Sequence, residues 1–148
     1  MKIEQESEVS ASRDRIWSVL EDVPRAAALI PGVKDVEATG NDTYSGIMQV
    51  GVGPMKLNLQ GELRATQNRD DYTWRIEGQA NDRRLGGGLR VIVDAAIAEA
   101  GAERSSLKVA TDIQFMGRVG TLGQPLIRSK ANSQMKDFIK NLEKELKK

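Results

Sequence analysis

The chain has 148 residues, 39% of them hydrophobic and 29% charged, and a formal net charge of only +1. That balance suits one water-soluble globular domain burying about 70% of the surface its unfolded chain exposes, and it excludes a disordered or membrane-embedded chain. Cysteine and histidine are both absent, which excludes disulfide scaffolds, thiolate and imidazole metal sites, Ser-His-Asp and Cys-His nucleophiles, and an imidazole general base.

Lys2 to Ser10 alternates charged and apolar side chains around Ile3 and Val9, the pattern of a strand. No apolar run follows it, so neither a signal peptide nor a membrane span is expected, and the default address is cytoplasmic. Ser10 or Ser12 then offers an N-cap for a short helix containing Ile16, Trp17 and Leu20. Asp22 with Pro24 two positions on starts a second short helix.

From Val33 the apolar period becomes two and stays so for some eighty residues. Strands are predicted at 33–39, 43–52, 55–67, 72–80, 88–100 and 105–116, separated by turns at Gly40 to Asp42, Gly53-Pro54, Asn68 to Asp71, Asn81 to Arg84 and Gly101 to Glu103. Consecutive hairpins imply an antiparallel meander. From about Leu122, Ile127, Ala131, Met135, Phe138, Leu142 and Leu146 form one stripe of a helix that runs to the end of the chain. Residues 1–148 therefore read as a single domain without repeats or linkers.

If the alternating apolar positions face inwards, they comprise Met48, Val50 and Val52; Leu57, Leu59, Gly61 and Leu63; Trp74, Ile76 and Gly78; Leu89, Val91 and Val93; and Leu107, Val109, Thr111, Ile113 and Phe115. Small residues among aliphatics, with only Trp74 and Phe115 as rings, point to a hollow between sheet and helix. The plainer alternative is that the glycines only permit the bends of a curved sheet. Thr111 is the clearest inward polar side chain, with Tyr44 and Tyr72 at strand ends, whereas Asp94 and Asp112 fall in the outward phase.

Gly86-Gly87-Gly88 and Gly51 to Pro54 are not followed by Gly-Lys-Ser/Thr and open no helix, so they are turn glycines rather than phosphate loops. Arg83, Arg84 and Asp70-Asp71 read as solvated hairpin tips. Residues 1–74 carry twelve acids and eight bases and residues 75–148 nine acids and fourteen bases. This polarity is too weak for a nucleic-acid footprint, and six aromatics leave little for base stacking.

Several motifs in this order resemble the carbon monoxide dehydrogenase G-subunit family of the START-like SRPBCC superfamily. They are Trp17-x-x-Leu20-x-Asp22, Ile30-Pro31-Gly32-Val33, Val52-Gly53-Pro54 and Gly117-x-x-Gly120-x-Leu122-Gly123 with Ile127 and Ala131 beyond. Leu29 departs from the cysteine expected of many relatives at that place. The resemblance implies an α+β helix-grip fold: a curved antiparallel seven-stranded sheet wrapped around a long C-terminal helix, with two short helices after the first strand. It further implies a non-catalytic accessory to a molybdenum hydroxylase of the carbon monoxide dehydrogenase type, linking that enzyme to the membrane or its quinone pool. The cargo would be a hydrophobic small molecule, a quinone or lipid, with no covalent cofactor and no metal.

In that setting Met48, Val50, Leu59, Trp74, Ile76, Val91, Ile113 and Phe115 are expected to line the floor of the cavity, with Ile127, Met135 and Phe138 as its lid. Leu29, Ile30, Pro31 and Gly32 would form the mouth. Arg118, Arg128 and Lys130, in a stretch free of acids, would meet an acidic partner or anionic head groups on the inner membrane face. Two other classes stay open: a START-like cyclase or hydrolase acting on a hydrophobic molecule, and a pure protein-interaction module.

Overall fold

The computed structural model describes residues 1–148. Strand β1 (Lys2–Val9) leads through helices α1 (Arg13–Leu20) and α2 (Val23–Ala27) into six strands. These are β2 (Val33–Gly40), β3 (Thr43–Val52), β4 (Met55–Asn68), β5 (Thr73–Asn81), β6 (Gly87–Gly101) and β7 (Arg104–Gly117). A 3-10 turn (Arg118–Thr121) then precedes the long helix α3 (Gln124–Leu146).

The caps explain the helix starts. Ser12 Oγ accepts from the Arg15 N–H at 3.4 Å, and an Asp22 carboxylate oxygen accepts from the Arg25 N–H at 3.3 Å, with Pro24 in the first turn of α2 where no N–H is needed. The sequence places the onset of the last helix a little early, at about Leu122, whereas α3 begins at Gln124 with Gly123 as its N-cap. In the 3-10 turn before it, Val119 is fully buried as a plug beneath α3.

All seven strands pair antiparallel in the order β1-β7-β6-β5-β4-β3-β2. The short helices therefore carry the chain from one edge of the sheet to the other. Register puts the expected inward residues on one face: Met48 opposes Leu59, Gly78 opposes Val91, Ile76 opposes Val93, and Val91 opposes Ile113. A slip of one residue anywhere would have turned a strand's apolar set outward.

Two cores form on that face. In the first, α1, α2 and the end of α3 pack on β5, β6 and β7 through Ile16, Trp17, Leu20, Trp74, Leu107 and Leu142. In the second, the β3–β4 hairpin, β1 and the start of α3 close around Val119 through Ile3, Val52, Leu57, Leu59 and Ile127.

One turn departs from expectation. Asn81 to Arg84 reads as a solvated tip, yet Asp82 is only 1% exposed. Its carboxylate accepts from the backbone N–H groups of Asn58 at 2.8 Å and Leu85 at 3.0 Å, pinning the β5–β6 turn to β4. Those two bonds, Asn58 foremost, hold the carboxyl below its ordinary range. Arg83 and Arg84 are exposed as expected.

Candidate ligand-binding site

Between the two cores the sheet is not closed over. Leu63, Ile76, Val91 and Val93, adjacent across β4, β5 and β6, belong to neither core and are half-buried, as is Met135 on the facing side of α3. The reason lies in the path of α3. It crosses the concave face from β1 to β3, approaching those two strands and bridging the middle of the curved sheet. Ala131 packs into the second core and Phe138 into the first, which leaves Met135, midway between them, over the gap.

The expected lining residues separate into three groups. Ile76 and Val91 lie on the middle strands that neither core covers, and Met135 lies on the stretch of α3 between the two cores. Met48, Val50, Ile113 and Phe115 flank it, half-buried against the second core, and Phe138 does the same on the first. Leu59 and Ile127, at 5% and 8% exposed, are packing residues of the second core rather than walls.

Trp74, expected on the floor, lies in the first core. It stacks on Trp17 with ring centroids 4.3 Å apart, and Tyr72 meets Trp17 edge-on at 5.7 Å. Its Nε1–H is nevertheless buried without an acceptor. Gly61 is also structural, since a Cβ there would stand 2.0 Å from the Gln79 carbonyl oxygen, so this glycine serves close strand approach at the bend and not the hollow.

The expected mouth is fastened shut. Leu29 is 8% exposed and part of the first core, because α1, α2 and α3 converge on it. Asn141 Nδ2 donates to its carbonyl at 2.9 Å, and Gln134 Nε2 donates to the Pro31 carbonyl at 2.9 Å. Ile30 and Pro31 are half-buried, and exposed Gly32 closes on β3, its carbonyl accepting from the Gln49 N–H at 2.8 Å. With φ at +86° and a Cβ position only 2.1 Å from the Gln49 oxygen, no other residue fits at 32 without a shift.

An open groove of about 540 Å³ lies instead on the other side of α3, along β1, with Met135 as its one apolar wall and Gln5, Ser7, Ser129 and Asn132 among the rest. Gln5 Nε2 spans it, donating to the Ala131 carbonyl and to Asn132 Oδ1, each at 3.1 Å. A second concavity, of about 670 Å³, lies over β1, β7, β6 and β5 among charged groups including Glu4, Glu6, Arg75, Asp94 and Lys108.

Sequence reasoning overlooked Gln5, Ser7, Gln134 and Asn141. For the first two the signal was present: Ile3 and Val9 face inwards, so period two puts Gln5 and Ser7 on the same side, opposite Val109 and Leu107. The inward positions of the sheet thus hold Gln5, Ser7, Tyr44, Gln67, Ser105 and Thr111 as polar groups and one carboxylate, Glu99, at the far end of β6, where it is ion-paired with Arg13 of α1. Asp94 faces outwards, 3.6 Å from Arg75. Glu145, the other carboxyl held below its ordinary range, is bonded by Arg25 and then Lys148, away from the gap. Arg118 and Arg128 are exposed and Lys130 half-buried at the start of the last helix and the turn before it.

The family model for the carbon monoxide dehydrogenase G subunit (CoxG) matches residues 6–147. Among solved structures, a conserved protein from Geobacillus kaustophilus superposes with a TM-score of 0.88 at 20% identity, over 99% of this chain and 95% of the other. A START superfamily protein from Mycobacterium smegmatis gives 0.71 at 16% identity, over 99% and 97%. The Zhui aromatase/cyclase from Streptomyces sp. R1128 gives 0.71 at 16% identity, over 99% and 93%. The fold is thus the START-like helix grip. No curated protein matches the chain.

Proposed function

This chain belongs to the carbon monoxide dehydrogenase G-subunit (CoxG) family, and from that premise we propose that it is a non-catalytic binding protein for a lipophilic molecule, a quinone or a lipid. It would serve as accessory to a molybdenum hydroxylase of the carbon monoxide dehydrogenase type, linking that enzyme to the membrane or its quinone pool. The observation that carries the reading is the apolar gap between two separate cores, walled by Leu63, Ile76, Val91, Val93 and Met135. Apolar surface left half-exposed on the inner side of a sheet is costly, and a ligand tail laid across it gains about 0.8 kcal/mol for each CH₂ removed from water. Met135 adapts to an irregular tail.

Polar groups beside the gap suit orientation better than acid-base work. Thr111 opposes Val93 on the inner face, half-buried beside the gap, where its hydroxyl can bond a ligand carbonyl. A general acid or base needs an ionisable side chain within reach of the reacting atoms, and the inward strand positions offer only Tyr44 and, at the far end of β6, Glu99, which is ion-paired with Arg13. Access runs along the β1–α3 groove, where Gln5 is the one side chain bonded across to the helix, and not through the fastened 29–32 loop.

The test is mass spectrometry of protein purified without detergent, native against denatured, with extraction of any released lipid and a parallel titration with a water-dispersed quinone. A retained lipophile, or quinone uptake that Ile76→Trp abolishes while thermal unfolding stays within a few degrees of wild type, is the expected result. An empty protein that takes up no quinone would overturn the reading in favour of an interaction module. Release of a chemically altered molecule would move it to the cyclases and hydrolases.

A further inference from the structure

Six basic side chains scattered over three segments of sequence, Lys56, Arg83, Arg84, Arg118, Arg128 and Lys130, come together at one end of the molecule. The β3–β4 hairpin tip reaches α3 there, since a Cβ on Gly53 would stand 2.9 Å from Leu126. Arg84 Nη2 donates to the Lys56 carbonyl at 3.1 Å, and the Arg118 N–H donates to the Gly86 carbonyl at 2.9 Å. All ten ion pairs of the molecule lie elsewhere, and none involves any of the six. The acid that sits among them in sequence, Asp82, is buried with both carboxylate oxygens taken by backbone N–H groups.

The same end carries Met116 and Leu126, two of the three large apolar side chains the molecule leaves exposed, at 42% and 44%. Pro54 and Pro125 are exposed alongside. With the buried Asp82 carboxylate near Arg84 as the one counter-charge, the remaining cations repel one another and are relieved by an external anionic surface. An acidic protein would meet the charge alone. Cations surrounding protruding apolar tips match the interface of an anionic bilayer, where phosphates meet the bases and the acyl boundary receives the tips.

We propose that this end docks on the surface of an anionic phospholipid bilayer, the six bases facing phosphodiester head groups and Met116 and Leu126 entering the acyl boundary. This deepens the membrane arm of the role proposed above by naming the face and the lipid charge. It rests on that arm alone and not on an occupied gap, so its test is read without quinone and its failure leaves the carrier reading standing.

The test is co-sedimentation of the full chain with vesicles of phosphatidylcholine alone or mixed with phosphatidylglycerol, at low and high ionic strength. Binding to the phosphatidylglycerol vesicles only, weakened by salt, is expected. The quadruple variant R83Q/R84Q/R118Q/R128Q should lose roughly fivefold in partitioning for each charge removed, the factor that about 1 kcal/mol per basic residue gives. A control that neutralises four bases elsewhere, K34Q/R64Q/K108Q/K140Q, should bind nearly as wild type, and M116S/L126S should lose the salt-resistant fraction, with circular dichroism confirming that all three fold. Absence of vesicle binding would overturn the proposal and leave an acidic protein as the occupant. Equal losses in the two charge variants would overturn it as unspecific attraction. Displacement by soluble glycerol phosphate at low millimolar concentration would overturn it in favour of a free phosphate ligand.

Discussion

Asp82 carries more of the architecture than its place in a turn suggests. Its carboxylate satisfies two backbone donors, one on β4 and one in its own turn, and so couples the β5–β6 connection to the β3–β4 hairpin. Because its folded pKa lies below the ordinary 3.8, the group contributes stability that is present above the unfolded value and lost as pH falls through the folded one. Asp82→Asn should therefore be less stable than wild type in urea titrations at pH 7, and the difference should shrink steadily below about pH 4. A difference that stays constant down to the acid limit would show that the charge is not what the turn depends on. Nothing in the residue's sequence neighbourhood, two arginines and a run of glycines, signals burial. The donors come from a strand some two dozen positions away, and only folding brings them together.

At the scale of elements, α3 acts as a strap held on both sides. Gln134 and Asn141 hold the 29–31 loop by two bonds from side-chain amides to backbone carbonyls, and on the β1 side Gln5 reaches across to α3 while Glu143 accepts from the Ser10 N–H at 2.9 Å. Gln134→Ala removes one clasp and leaves the Pro31 carbonyl without its partner, a loss of about 1 kcal/mol. Hydrogen exchange should accelerate at Ile30 and Val33 while the sheet amides keep their protection. Unchanged exchange there would mean that packing of Leu29 in the first core, and not the amide, fixes the loop. The helix itself was legible from its apolar stripe. Its stand-off from the middle strands was not, because helical periodicity tells which side of a helix is apolar and not how far that side lies from what it faces.

For the molecule as a whole, the division into two cores predicts two classes of response to truncation. Trp17, 2% exposed between Trp74 and Tyr72, is central to the first core, and Trp17→Ala should cost about 3 to 5 kcal/mol of unfolding free energy. Val91→Ala, at a half-buried position belonging to neither core, should cost less than about 1.5 kcal/mol although both positions face the inside. Chemical denaturation of the two variants decides the matter: comparable losses would mean that one continuous core runs across the sheet and that the gap is packed.

The sequence alone was enough for the element order, the inward residues it named on β3 to β7 and the family, because strand period, helix stripe and turn residues are local and the family's motifs recur in order along nearly the whole chain. Tertiary structure decided which inward residues are wall and which are packing. Leu59, Trp74 and Ile127 share their strand phase or helix stripe with Val91, Ile76 and Met135, and they differ only in whether another element reaches them. An apolar wall and an apolar core are built from the same side chains, so composition cannot separate them, and the path of α3 across the curved sheet does.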